Sequence, residues 1–208
     1  MHPFESSQYL TASYNNQARF NSYWNQVNEV LEHRPDRVLE IGIGTGLVAW
    51  HLRRLGIDVV TLDVDERLEP DVVGSVLSIP LEDRCFDAIA CFEVLEHLPF
   101  RDLPEALAEI YRVTNDRAFI SLPDTQPRCR MFLHIPRLLE ARKVLSIRRP
   151  YPREHEFDGE HRWEIGKDGL RVEHIVNAME KCGFAVARTH VPFEVPSQRF
   201  FQLRRKHR

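Results

Sequence analysis

No stretch of about 18 consecutive apolar residues occurs in the 208-residue chain, so no transmembrane helix is expected. The first residues, Met1-His2-Pro3-Phe4-Glu5, lack a basic start followed by an apolar core, which argues against a secretory signal. The four cysteines, Cys85, Cys91, Cys129 and Cys182, form no C-x-x-C pair. That disfavours a zinc ribbon or a disulfide framework, and the cytoplasm is the expected compartment. Lysine is scarce: Lys143, Lys167, Lys181 and Lys206 are the only four among 28 basic residues. A net charge of −3 argues against wholesale coating of nucleic acid. A hydrophobic fraction of 43% excludes a wholly disordered chain and suits a single domain, residues 1–208.

Charge is unevenly spread. From Thr125 to Arg153 eight basic residues face one acid, Glu140. From Glu154 to Glu164 five acids and two histidines follow. Residues 1–35 read as a polar, aromatic arm and then a helix, with Phe20, Tyr23, Trp24, Val27, Val30 and Leu31 on one face and Pro35 behind it. Strands are expected at Val38–Ile41, Val59–Leu62, Val72–Val73, Phe86–Phe92, Ala118–Leu122, Phe184–Ala187 and Arg199–Leu203. Helices are expected at Leu47–Leu55, Arg101–Val113 and from an Asp168 N-cap to Cys182. Alternating strands and helices imply an α/β fold with a mostly parallel sheet. The last two strands are too close in sequence for a crossover helix and should be antiparallel. Residues 124–167 interrupt the pattern as an insertion after strand five. Its Met131–Leu139 stretch mixes apolar and basic residues and suggests an amphipathic lid helix; contact with a membrane surface or a phosphorylated acceptor is the alternative.

Gly42, Gly44 and Gly46 lie between strand one and the next helix, where the backbone turns tightly and free N–H groups meet a ligand. Leu47 breaks the dinucleotide fingerprint G-x-G-x-x-G, and no phosphate-binding G-x-x-x-x-G-K-[S/T] loop occurs. Glu40 would repel a pyrophosphate and suit a cation. Asp63 ends strand two, where a carboxylate accepts from ribose hydroxyls. An adenosine with a cationic, unphosphorylated tail meets both conditions, and S-adenosylmethionine is that molecule.

Val38-Leu39-Glu40-Ile41-Gly42-Ile43-Gly44-Thr45-Gly46 resembles the first motif of class I S-adenosylmethionine-dependent methyltransferases, the small-molecule group in particular. Asp63 and Phe86-Asp87-Ala88-Ile89 followed by Glu93-Val94-Leu95-Glu96-His97 extend the resemblance over about residues 36–123. It implies a Rossmann-like seven-stranded sheet of order 3-2-1-4-5-7-6, strand seven antiparallel. It further implies that Glu40, Gly42, Ile43, Gly44, Thr45 and Gly46 hold the methionine end, and that Asp63 binds the ribose with Val64 against adenine. Gly74-Ser75-Val76-Leu77 lacks the acid many relatives place at the adenine amine, so backbone near Val76 and Leu77 takes that contact. By the same resemblance, Phe92 and Glu93 would flank the methionine amino group.

Glu93 and Glu96 share a face on a helical turn, beside His97. His155 and His161 stand in the acidic stretch downstream. A metal-free reading makes Glu96, His97, His155 and His161 the acid–base candidates for methyl transfer to an acceptor oxygen. The segment is also similar to the Glu-x-x-Glu-His motif of small-RNA 2′-O-methyltransferases, which implies a divalent metal on Glu93, Glu96, His97 and His155 as the alternative. A third reading is a non-catalytic, cofactor-binding regulatory subunit. No Asn-Pro-Pro-Tyr or Asp-Pro-Pro-Tyr follows strand four and no Pro-Cys pair exists, against amine-directed DNA methylation and covalent attack on pyrimidines. The expected acceptor is a small molecule, phosphorylated or linked to a glycan or lipid, ahead of a nucleic acid.

Overall fold

The computed structural model describes residue 9 and residues 11–147, 153–157 and 159–206. The remainder of the expected arm, and Arg148, Arg149 and Asp158 of the charged stretches, lie outside the described residues. In chain order the elements are α1 (Gln17–Leu31), β1 (Arg37–Ile41), α2 (Leu47–Arg54), β2 (Asp58–Asp63) and β3 (Val72–Val73). They continue with β4 (Phe86–Phe92), α3 (Leu103–Val113), β5 (Thr114–Pro123), β6 (Arg128–Ile135) and β7 (Leu139–Ser146). The last are α4 (Val172–Lys181), β8 (Phe184–His190) and β9 (Gln198–Arg205).

Seven strands form one sheet of order β3-β2-β1-β4-β5-β9-β8. Pairing is parallel from β3 to β5, and β9 runs antiparallel to both β5 and β8. This is the expected Rossmann-like order. Alternate side chains of each strand go to opposite faces, which makes two cores. On β4, Ile89 and Cys91 pack with Leu103, Leu107 and Ile110 of α3 and with Ile175 and Met179 of α4. Ala88 and Ala90 face the other way, towards Val27 and Val30 of α1 and Val48 and Leu52 of α2. The Asn16 side chain accepts from the Arg19 N–H and starts α1. Proline in the first turn of α3 is compatible with a helix start.

Two expectations for the chain after strand five are corrected. Met131–Leu139 is not a lid helix; β6 and β7 form a separate antiparallel hairpin. Pro136 at the second turn position and Arg137 at φ 63° close it, with the Leu138 N–H donating to Ile135 O at 3.0 Å. That is the chemistry of a tight turn with proline leading a left-handed residue. The last helix begins at Val172 rather than at an Asp168 cap. Asp168 sits in a turn at φ 47°, and its carboxylate accepts from the His155 N–H.

Candidate active site

The glycine loop leaves β1 at the end where ligands meet open α/β sheets. Gly42 donates its N–H to Leu62 O and Gly46 to Ile43 O, both at 2.8 Å. Gly42 has φ 83°, and a Cβ there would lie 2.4 Å from Val94 Cγ2, so only glycine fits. Gly46 is the N-cap of α2, whose first N–H groups face the loop. Asp63 ties β2 to this loop, accepting from the Ile43 N–H at 3.0 Å and the Asp65 N–H at 2.9 Å. Val64 beside it is exposed, an apolar surface at the point expected to meet adenine.

Glu40 is buried under the loop. Burial pushes its pKa up to about 8, against the Ala49 N–H it accepts and the Arg53 charge, which lower it. Its Oε2 has no hydrogen-bond partner among the described residues. A buried carboxyl with an unused oxygen suits a cationic group. The side chains of Val76 and Leu77 pack into the core, and the Leu77 N–H donates to the Ser75 hydroxyl at 3.2 Å. Phe92 is buried, its ring 5.9 Å from Phe200.

Beyond β4 the chain turns at Glu93, φ 55°, whose carboxylate accepts from the Ser121 hydroxyl at 2.8 Å. Leu95–His97 form a single 3-10 turn. Glu96 is fully buried, and neither carboxylate oxygen has a hydrogen-bond partner among the described residues. Burial raises both acids, Glu96 well above the usual carboxylate range, and their mutual repulsion adds to Glu96. The far end of the insertion closes on this turn. Arg162 donates its N–H to Glu96 O at 2.9 Å and its Nε–H to His97 O at 3.1 Å. Trp163 donates to Leu98 O at 3.0 Å and packs edge-on to Phe100.

This closure brings His161 to Glu96 and His97, with one ligating atom of each within 4.8 Å of the others. His161 Nδ1 lies 3.0 Å from Glu164 Oε1, so a carboxylate orients the ring. Burial pushes Glu164 up, but bonds from Lys167 and His161 outweigh it and hold it below the usual range. His97 Nδ1 meets Glu160 O at 3.0 Å, and burial lowers its pKa. His155 stands behind, its Nε2 2.9 Å from His161 O. Of the expected four-residue metal set, Glu96 and His97 converge, and His161 rather than His155 stands third.

Sequence reasoning missed Glu164, Tyr9 and Arg19. The edge of the Tyr9 ring lies 3.8 Å from where a Cβ on Gly44 would stand, over the loop. Arg19 stacks on Tyr14 at 4.3 Å and lends positive charge to Glu93 and Glu96. Only the i, i+3 spacing of His161 and Glu164 offered a signal.

The strand order matches the Rossmann-like fold of the methyltransferases with which the chain superposes. In agreement, residues 39–122 match the methyltransferase domain family. The tRNA1(Val) (adenine(37)-N6)-methyltransferase of Flavobacterium psychrophilum is 27% identical over 143 residues, which are 64% of this chain and 59% of that protein. Demethylmenaquinone methyltransferase of Renibacterium salmoninarum is 34% identical over 88 residues, 38% of this chain and 36% of that protein. The matches therefore span less than two thirds of either relative. Among solved structures, Burkholderia thailandensis 1,6-didemethyltoxoflavin-N1-methyltransferase superposes with a TM-score of 0.62 at 14% identity, covering 97% of this chain and 87% of that one. Magnesium protoporphyrin IX methyltransferase of Synechocystis PCC 6803, with S-adenosylhomocysteine bound, gives 0.61 at 13% identity, covering 91% and 84%.

Proposed function

We propose that this chain is an S-adenosylmethionine-dependent methyltransferase acting on an oxygen of a small or medium acceptor. The observation that carries the reading is the joining of a glycine cradle to an acid–imidazole cluster at one edge of the sheet. Both named structural neighbours were solved with S-adenosylhomocysteine bound, which supports the cofactor. The residues fit it: the unused Glu40 oxygen suits a cationic tail, and Asp63 ends β2 bonded to the glycine loop, where a carboxylate would accept from ribose hydroxyls.

When bound, S-adenosylmethionine supplies an electrophilic methyl group. The chain's own task is to align the acceptor and to remove a proton where the acceptor is a hydroxyl. His161 suits that step, because Glu164 Oε1 lies 3.0 Å from its Nδ1 and orients the ring beside Glu96 and His97. Glu96, held protonated by burial, stands as an uncharged neighbour of His97 and His161. Neutral nitrogen acceptors need no such base before attack, which favours oxygen.

Calorimetric titration with S-adenosylhomocysteine, alongside NAD⁺ and with and without Mg²⁺, tests the cofactor. Preference for NAD⁺ would end the reading. His161→Ala should leave S-adenosylhomocysteine binding unchanged and cut turnover by about 10²–10⁴ over an acceptor panel. Glu164→Gln should shift the pH–rate profile while keeping the fold. Cofactor binding without turnover on any acceptor would favour the regulatory-subunit reading instead. The convergence of Glu96, His97 and His161 favours a second reading, a metal-dependent RNA 2′-O-methyltransferase. It requires loss of activity with chelator and rescue by Mg²⁺ or Mn²⁺; turnover indifferent to chelator dismisses it.

A further inference from the structure

The β6–β7 hairpin has two unlike faces. The register puts Cys129 opposite Leu145, Met131 opposite Lys143, Leu133 opposite Ala141 and Ile135 opposite Leu139 on one face. The intervening pairs, with Arg130, Phe132, His134, Glu140 and Arg142, make the other face. That polar face leans on the loop before β9. Arg130 donates to Phe193 O at 3.2 Å, Arg142 pairs with Glu194 at 2.9 Å, and Phe132 lies 6.4 Å from the Phe193 ring.

The apolar face points to solvent. Its large side chains and the turn residue Leu138 are between 40% (Ile135) and 79% (Leu138) exposed. A contiguous exposed patch of this kind marks a contact surface. The charge beside it has one sign. Arg137 adjoins Leu138 at the tip and Lys143 stands within the apolar face, neither with an acidic partner among the described residues. The hairpin's other cations are placed away from this face: Arg128 is buried against Asp124, and Arg142 pairs with Glu140 and Glu194.

We propose that this hairpin docks on the surface of an anionic phospholipid bilayer, laying Met131, Leu133, Ile135, Leu138 and Leu139 into the headgroup boundary. Long arginine and lysine side chains can bury their stems and still reach lipid phosphates. Cations within and beside an apolar face match an anionic interface, whereas a second copy laid on this face would bury Lys143 against a face that carries no acid to pair it. The hairpin leaves the end of β5, the edge that also carries the glycine loop and the acid cluster. Docking requires no methyl transfer and stands apart from the catalytic reading.

The test is flotation of the full chain with phosphatidylglycerol–phosphatidylcholine vesicles and with phosphatidylcholine alone. Binding is expected to the anionic vesicles and to fall with added salt. L133S with L139S, and separately R137E with K143E, should each lower partition by about tenfold or more. Thermal unfolding should not change, because these side chains are exposed. Failure to float with anionic vesicles overturns the proposal, as does equal partition of both double variants. A dimer by light scattering that L133S with L139S makes monomeric, without vesicle binding, also overturns it and assigns the face to a second copy.

Discussion

Glu40 holds its proton near neutral pH because the carboxylate would be buried with one oxygen unpaired. A cationic ligand tail beside it stabilises the ionised form. Binding below about pH 8 should therefore release a proton, and affinity should rise with pH by at most tenfold per unit before flattening. Titrating S-adenosylhomocysteine at pH 6, 7 and 8 in buffers of different ionisation enthalpy reads both effects. Glu40→Gln should remove the slope; an identical pH profile in wild type and variant sinks the assignment. Asp63→Ala acts differently, because Asp63 accepts two backbone N–H groups besides its proposed ribose bonds. Its loss should weaken S-adenosylhomocysteine binding by about 1–3 kcal/mol. Unchanged affinity would mean that another acid holds the ribose.

At the scale of elements, the hairpin depends on a buried ion cluster at its base. Asp124 pairs with Arg128 and, at 2.7 Å, with Arg199 of β9, and its other oxygen accepts from the Gln126 N–H. The Asp124 side chain is fully buried and that of Arg128 nearly so. Asp124→Ala leaves two guanidiniums without their carboxylate and should cost about 3–5 kcal/mol. For a domain of this size that is a Tm lower by about 10 °C. Tryptic cleavage at Arg130 and Arg137 should also speed up. A Tm within a degree or two of wild type, with unchanged cleavage, would show that the hairpin is held elsewhere. The elements of the sheet were legible because β1, β2 and β4 are short apolar runs bounded by turns, and their loops carry glycine and acid in recognisable places. The hairpin was not. Phe132 and Val144 interrupt its period of two by placing apolar residues on the polar face, where Phe132 finds Phe193. The cofactor cradle is local in sequence and could be read. The acid–imidazole cluster joins residues 93–97 to residues 160–164 through Arg162 and Trp163, and such long-range closure leaves no periodic mark.

For the whole molecule, the site opposes stability. Glu40, Glu93 and Glu96 are all raised by burial, so between about pH 4.5 and 8 the folded chain holds protons that the unfolded chain releases. By linkage, the free energy of unfolding must fall as pH rises through that window. Other groups act at different pH. Asp71, Glu109 and Glu164 are held below their usual values, so their contribution is lost only as pH falls into the acid range. His97 is lowered, so stability gained from keeping it neutral grows as pH rises to about its ordinary value of 6.5, a single group against three carboxyls. Tm should therefore peak in mildly acidic buffer and drop by pH 8.5. Glu40→Gln and Glu96→Gln should each flatten the drop, raising Tm at pH 8.5 relative to wild type more than at pH 5.5. Bound S-adenosylhomocysteine should raise Tm more at pH 8.5 than at pH 5.5, because its cationic tail stabilises the Glu40 carboxylate that burial disfavours. Calorimetric scans of wild type and both variants, with and without ligand, decide the matter. A wild-type Tm that climbs steadily to pH 8.5, or variants that keep the wild-type slope, would mean that these carboxyls ionise in the folded chain without penalty. The cradle and the acid cluster would then not be the strained, cation-seeking site proposed for them.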